Sequence, residues 1–320
     1  MSSAGSANPG GRPPRTPPAG QPKTTAMRPW GYSRGWRQVS RAILHPGLRL
    51  LIRNRWQGKE NIPKTGGIIL APNHLSYADW CTIAIFSDGY AHRYPVFMIK
   101  SGIFGVPVIG SLLYKFGQLP VFRGRGDAGL VLKQAEKALS QGACVIVYPE
   151  GTASRDPDLW PMVGKTGAAR LALTTGAPVI PVAHWGAQDI LPYGSKKPHL
   201  FPRKTVRMMA GPPVDLSAYA GQRLGASTLR AATADIMADI TALLAGIRHE
   251  TPPDAVWDPA VGARVPLTRT SGDSALPATG SGGGKAEEPG SGSGAAPMGE
   301  AASDSGSTEA PANEAASEPT

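Results

Sequence analysis

The sequence predicts an α/β fold: a mixed, mostly parallel sheet covered by helices on both faces, with an N-terminal amphipathic helical arm and disordered termini. Three observations carry this expectation. Between residues 67 and 249, apolar runs of strand length alternate with stretches of helical periodicity. The strand-like runs are almost continuously apolar, as strands buried on both faces are. The two ends of the chain lack the residues from which a core is built.

Residues 1–26 contain no Val, Ile, Leu or aromatic residue and read as a disordered tail without the apolar stretch of a signal peptide. Residues 27–60 read as a membrane-associating arm. Within it, residues 33–56 suggest two short helices broken at Pro46–Gly47. Trp36, Val39 and Ile43 share one face of the first. Leu48, Leu51 and Ile52 oppose Arg49 and Arg53 in the second. A basic face beside an apolar one suits an interfacial helix pair; a helix packed on the domain with a solvated basic rim has the same pattern.

Residues 61–250 read as the folded domain. Strands are expected at 67–71, 96–100, 143–148, 177–184 and 205–210. A helix follows Ser76, a second runs from an N-capping Asp127 to a stop at Gly142, a third covers 167–176, and a long one covers 227–249. The apolar segment Val96–Phe116 is interrupted by Lys100, Pro107 and Lys115, so it is too broken to span a bilayer but can face lipid. Residues 251–320 read as a disordered acidic tail. Cys81 and Cys144 lie in apolar contexts and read as buried thiols.

Charge narrows the partners. The chain carries a net +10, yet residues 271–320 hold eight acidic side chains and one basic one, which leaves about +17 on residues 1–270. A basic folded part fits a phosphate-bearing ligand or an anionic membrane surface. Nucleic acid is not expected, because the basic residues cluster in the arm without interleaved exposed aromatics.

Three clusters can carry chemistry. Asn73–Trp80, NHLSYADW, follows a buried run, at the carboxyl end where α/β folds place their active groups. Ser76 and Asp79 have the spacing of a helix-capping pair. The alternative turns Asp79 back on the loop to orient His74, whose other nitrogen is then a base. Tyr148–Asp156, YPEGTASRD, follows another buried run and offers backbone N–H groups, a hydroxyl and a carboxylate; a polar turn with a solvated Glu150 is the plain reading. In Gly117–Asp127, GQLPVFRGRGD, Arg123 and Arg125 precede a helix and suit bidentate phosphate binding or a solvated loop.

Together these blocks resemble the glycerophospholipid acyltransferase family, and most closely its 1-acyl-glycerol-3-phosphate acyltransferases. Asn73, His74 and Asp79 match the family's Asn-His-x4-Asp block. Gly117–Arg123 loosely matches its second, Tyr148–Thr152 with Ser154 its third, and Val179–Val182 its fourth, in family order; Lys165 and Gly167 meet a Lys-x-Gly that follows the third. One departure stands out: Ala153 occupies the place of the arginine expected after Thr152.

The resemblance implies transfer of a fatty acyl group from acyl-CoA or acyl carrier protein to the free hydroxyl of lysophosphatidic acid, giving phosphatidic acid. His74 would be the general base and Asp79 its orienting acid. Arg123, Glu150, Gly151 and Thr152 would hold the glycerol phosphate, assisted by Lys100, Lys165 and Arg155. No metal or other cofactor is implied, and the expected location is peripheral, on the cytoplasmic side of the cell membrane. The rival readings are an acyltransferase for glycerol 3-phosphate or a glycolipid, and a non-catalytic basic membrane-binding module.

Overall fold

The computed structural model describes residues 34–121, 128–195 and 197–266. Its centre is a seven-stranded sheet in the order β1-β7-β6-β2-β5-β3-β4. The strands are β1 (Ile52–Gln57), β2 (Ile68–Pro72), β3 (Pro95–Lys100), β4 (Leu119–Val121), β5 (Cys144–Ile146), β6 (Val179–Trp185) and β7 (Lys204–Ala210). Every neighbouring pair is parallel except β6 with β7. The mixed, mostly parallel sheet expected from the sequence is therefore present, and each of the five expected strands forms within a residue or two of its predicted place.

Alternation along the central strands explains the continuous apolar runs. In β2, Ile69 and Ala71 enter one cluster with Val145, Val179 and residues of α5 (Ala128–Ser140), α6 (Gly167–Thr175) and α7 (Ala226–Arg248). Ile68 and Leu70 enter the other, with Ile146, Ile180 and Val182, against Ile83 of α2 (Asp79–Ile85) and Phe86. Both faces are covered, so no polar alternation survives. Beyond α5, Gly142 takes φ +83°, the left-handed turn that ends a helix cheaply only in glycine. The proposed cap of that helix, Asp127, lies outside the described residues.

Three expectations are corrected. The arm is a single helix, α1 (Arg34–Leu51), that continues through Pro46. Pro46 cannot donate to the carbonyl of Ala42, but Ala42 is exposed, so water can take that bond. Arg41 Nε lies 2.7 Å from the buried Asp88 Oδ2 and ties α1 to the wider π-type turn Phe86–Tyr90. The side chains of Trp36 and Ile43 lie outside the described ones. Second, Ile52–Gln57 is strand rather than helix. It pairs with β7, with Ile52 buried and the ring of Trp56 packed edge-on to Phe86, so the folded domain starts upstream of residue 61. Third, residues 255–266 form a hairpin, β8 (Ala255–Asp258) with β9 (Ala263–Pro266), inside the stretch expected to be disordered from 251. Arg264 forks onto Asp156 at 2.6 and 2.7 Å, and Val163 N–H donates to Trp257 O at 2.9 Å. Polar and backbone contacts hold this hairpin, which is why no apolar run announced it.

Candidate active site

The parallel strands β2, β5, β3, β4 and β6 end at one edge of the sheet, and the chemistry-bearing blocks leave from that edge. Asn73–Ala78 is the exit from β2 into α2. Asp79, the first residue of α2, is fully buried and turns back on this loop. Its Oδ2 accepts the backbone N–H of Leu75 at 2.6 Å and of Ser76 at 2.9 Å, and lies 2.8 Å from His74 Nδ1. With a carboxylate as the neighbour, Nδ1 carries the hydrogen and Nε2 is left bare. The His74 side chain is 18% exposed, so this nitrogen can meet a substrate. Ser76 does not cap α2. Its Oγ accepts Ala78 N–H at 2.9 Å and donates to Leu191 O at 2.5 Å, pinning the loop to the segment that follows β6.

The exit from β5 supplies the floor. The Tyr148 ring packs against the His74 ring, centroids 4.5 Å apart, and burial beside Asp79 and Cys81 holds its hydroxyl well above the usual tyrosine range. Glu150 was expected to be either a substrate ligand or a solvated turn residue; it is not solvated. Its side chain is buried, with Oε1 accepting His74 N–H at 2.8 Å and Oε2 accepting Met162 N–H at 3.0 Å. Both oxygens hold backbone, so Glu150 positions the histidine from below. Burial pushes its carboxyl up to about 8, against those two donors, which favour the anion, and with the negative charges of Asp79 and Asp156 adding to the rise. Ser154 N–H donates to His74 O at 2.7 Å, so both backbone groups of His74 are tied to this block.

The remaining predicted residues fall in four groups. Gly151, φ +69°, lies under Lys165: a Cβ at position 151 would stand 2.7 Å from Lys165 Nζ. Thr152 is partly exposed and Arg155 exposed, whereas Ala153, at the departure from the family pattern, is buried. Lys100 is exposed at the carboxyl end of β3, at the same sheet edge. Arg123 lies outside the described residues. Among the described residues, no three His, Cys, Asp or Glu side chains converge as a metal site requires.

Sequence reasoning missed one group at the centre. His184, near the end of β6, is fully buried, and its Nε2 lies 2.8 Å from Asn73 O and 3.6 Å from Asp79 Oδ2. The only sequence signal was a histidine closing an otherwise apolar run.

Known proteins are similar to this chain. A family model described as Acyltransferase matches residues 53–185. A chloroplastic 1-acyl-sn-glycerol-3-phosphate acyltransferase of Brassica napus is 35% identical over 142 residues, 44% of this chain and 39% of that protein. The chain thus spans about two fifths of that relative's length. A 1-acyl-sn-glycerol-3-phosphate acyltransferase of Bacillus subtilis is 30% identical over 175 residues, 53% of this chain and 80% of that protein. The crystal structure of the 1-acyl-sn-glycerophosphate acyltransferase PlsC from Thermotoga maritima shares the fold, with a TM-score of 0.50 and 21% identity over 68% of this chain and 81% of that one.

Proposed function

The chain belongs to the glycerophospholipid acyltransferase family, and from that premise we propose that it transfers a fatty acyl group from acyl-CoA or acyl carrier protein to the free hydroxyl of lysophosphatidic acid, giving phosphatidic acid. The observation that carries this reading is the His74–Asp79 pair, 2.8 Å apart, with Nε2 left as the base. The acceptor hydroxyl gives its proton to His74 Nε2 as its oxygen attacks the thioester carbonyl. Asp79 stabilises the imidazolium that forms. The tetrahedral intermediate then collapses, the C–S bond breaks, and His74 returns the proton to the departing thiolate. No serine nucleophile is needed, because the substrate supplies the hydroxyl. Base catalysis of this kind is worth roughly 10²–10⁴-fold.

Lys165 over Gly151, Arg155, Lys100 and Arg123 supply cations for the acceptor's phosphate. Buried Ala153, in place of the family's arginine, leaves one cation fewer for a phosphate and favours one second reading: a glycolipid acceptor without that phosphate. We place the protein peripherally on the cytoplasmic face of the membrane. Support comes from the exposed Ile103, Val106, Val108 and Ile109 at the catalytic edge; among the described residues, no helix is long and apolar enough to cross a bilayer.

The test is thiol release from an acyl-CoA in the presence of a panel of acceptors. Release that depends on lysophosphatidic acid is expected. Release with a glycolipid acceptor alone selects the second reading. No release with any acceptor and either donor returns the protein to a non-catalytic membrane-binding role.

A further inference from the structure

We infer that His184 is a positioning residue for the His74–Asp79 pair, acting through Asn73 and the Asp79 carboxylate. The inference rests on the reading of His74 as the base.

The fold brings His184 to this place. Strand β6 runs parallel to β2 with Val182 opposite Pro72, so residue 184 stands beside the exit of β2. It shares a face with Ile180 and Val182, the face covered by α2, at whose first residue Asp79 lies. A reciprocal clasp then forms with the first residue of the loop. Asn73 Nδ2 donates to His184 O at 3.1 Å, His184 N–H donates to Asn73 Oδ1 at 2.8 Å, and the imidazole Nε2 reaches Asn73 O at 2.8 Å. Asn73 and His184 are both fully buried.

The tautomer follows from the neighbours. Asn73 O and Asp79 Oδ2, at 2.8 and 3.6 Å from Nε2, are both acceptors, so Nε2 carries the hydrogen. Burial keeps the ring neutral, holding it below the usual histidine range. Nδ1 is buried with no hydrogen-bond partner. An apolar residue would fill the position without that cost, so the imidazole is retained for what its N–H faces. That N–H donates to Asn73 O, and its dipole lies 3.6 Å from the crowded oxygen of Asp79, already bonded by Leu75, Ser76 and His74. A neutral N–H dipole steadies that carboxylate without adding a charge that would oppose imidazolium formation at His74.

Among the described residues, the ionisable groups around His74 and Asp79 are few. Cys81 comes from α2, Tyr148 and Glu150 from the exit of β5, and His184 from β6. Cys81 and Tyr148 are pushed up by burial, and Cys81 sits at about 12, so neither titrates near neutrality. Glu150, at about 8, holds His74 by its backbone N–H and is unchanged between the variants compared.

The experiment uses the full chain with His184→Leu, His184→Gln and His184→Asn. kcat and both KM values are measured against pH, and the His74 imidazole is titrated by NMR. His184→Leu should lower kcat about tenfold or more, because small misplacements of a reacting group can cost about 10²-fold, and should change both KM values little. It should also raise the His74 titration point, since Asp79 loses a nearby N–H dipole that offsets its charge. His184→Gln, whose amide nitrogen can reach the place of Nε2, should restore kcat and the titration point. His184→Asn, whose amide is too short, should behave like Leu, and it serves in place of Leu if that variant does not fold. An unmoved His74 titration in both Leu and Asn overturns the inference, as does a Gln variant no better than they are. The NMR titration needs no turnover, so it remains decisive if His74→Ala proves active and the base assignment fails.

Discussion

Glu150 Oε1 accepts the backbone N–H of His74 at 2.8 Å, so the acid of one sequence block grips the histidine of another by its main chain. The carboxyl is buried and its pKa lies at about 8, above an ordinary 4.5. Between those values the native group keeps a proton that the unfolded chain has released, so the native state binds more protons and stability falls as pH rises. Thermal midpoints measured across this window should decline with pH. Glu150→Gln should flatten that slope. It should also cost about 1–3 kcal/mol, because an amide NH2 would then face a backbone N–H. An unaltered slope in the Gln variant would show that Glu150 is not the titrating group.

Replacing His74 by Ala should lower turnover by at least about 10²-fold with little change in thermal midpoint, because among the described residues its partly exposed side chain makes only two contacts, with Asp79 Oδ2 and the Tyr148 ring. Asp79→Asn should lower turnover strongly as well. Its carbonyl oxygen can occupy the place of Oδ2 and keep the Leu75 and Ser76 N–H bonds, so the loop should survive while the negative charge is lost. Steady-state kinetics beside thermal melts check both. A His74→Ala variant with more than about a tenth of wild-type turnover is incompatible with general-base catalysis of the expected size.

Much of this was legible in the sequence because it depends on local pattern. Buried parallel strands announce themselves as apolar runs, and β2, β3, β5, β6 and β7 were each visible that way. The His74–Asp79 spacing was visible too, but not which way Asp79 turned, since a capping pair has the same spacing. What escaped depends on distant partners. β1 has only its first residue fully buried and needs β7 to be a strand. The β8–β9 hairpin needs Asp156, more than a hundred positions upstream. Glu150 looked like a solvated turn residue because its partners, His74 N–H and Met162 N–H, are backbone groups of other segments.

The hairpin clasp should respond to acid. Burial alone would raise the Asp156 carboxyl, but hydrogen bonds from Arg264 and from the N–H groups of Asp158 and Trp160 hold it below the ordinary 3.8. A depressed carboxyl adds stability at pH above 3.8, and that contribution is lost as pH falls through the native value. Arg264→Leu should therefore destabilise the protein at neutral pH by about 3 kcal/mol, as a nearly buried acid is left unpaired, and the gap to wild type should narrow in acid. Turnover should drop in parallel, since the clasped loop carries Met162, the partner of Glu150. Equal midpoints for variant and wild type at pH 7 would rule the clasp out as a source of stability.

Acceptor binding separates from donor binding at Lys165. Its ammonium lies over Gly151, at the edge where His74 is exposed. Lys165→Ala should raise KM for lysophosphatidic acid well above any change in KM for the acyl thioester, with kcat less affected, because a phosphate pair formed in the ground state persists to the transition state. Arg123→Ala is the companion variant. Equal changes in both Michaelis constants would assign these cations to the donor's phosphates instead.

The surface after β3 bears on membrane attachment. Helices α3 (Ser101–Phe104) and α4 (Ile109–Lys115) are joined by a turn in which Val108 is 73% exposed with φ +66°. A β-branched residue in the left-handed region is strained, and its exposure brings no packing in return. Ile103, Val106 and Ile109 are exposed beside it, with Lys100 and Lys115 at the two ends of the segment. Burying each aliphatic side chain in lipid is worth about 1.5–3 kcal/mol, and each lysine near an anionic surface about 1 kcal/mol more. Val106, Val108 and Ile109 changed together to Ser should release the protein from vesicles containing anionic lipid, with its thermal midpoint in solution little changed. Val108→Gly separates strain from contact: it should leave the free protein as stable or more so while weakening sedimentation with vesicles. High salt should loosen wild type only partly, because the apolar contact is not screened. Full sedimentation of the triple Ser variant would move the attachment to α1, whose Leu50 is also exposed, and a deletion of residues 1–51 would then be the variant that releases the protein.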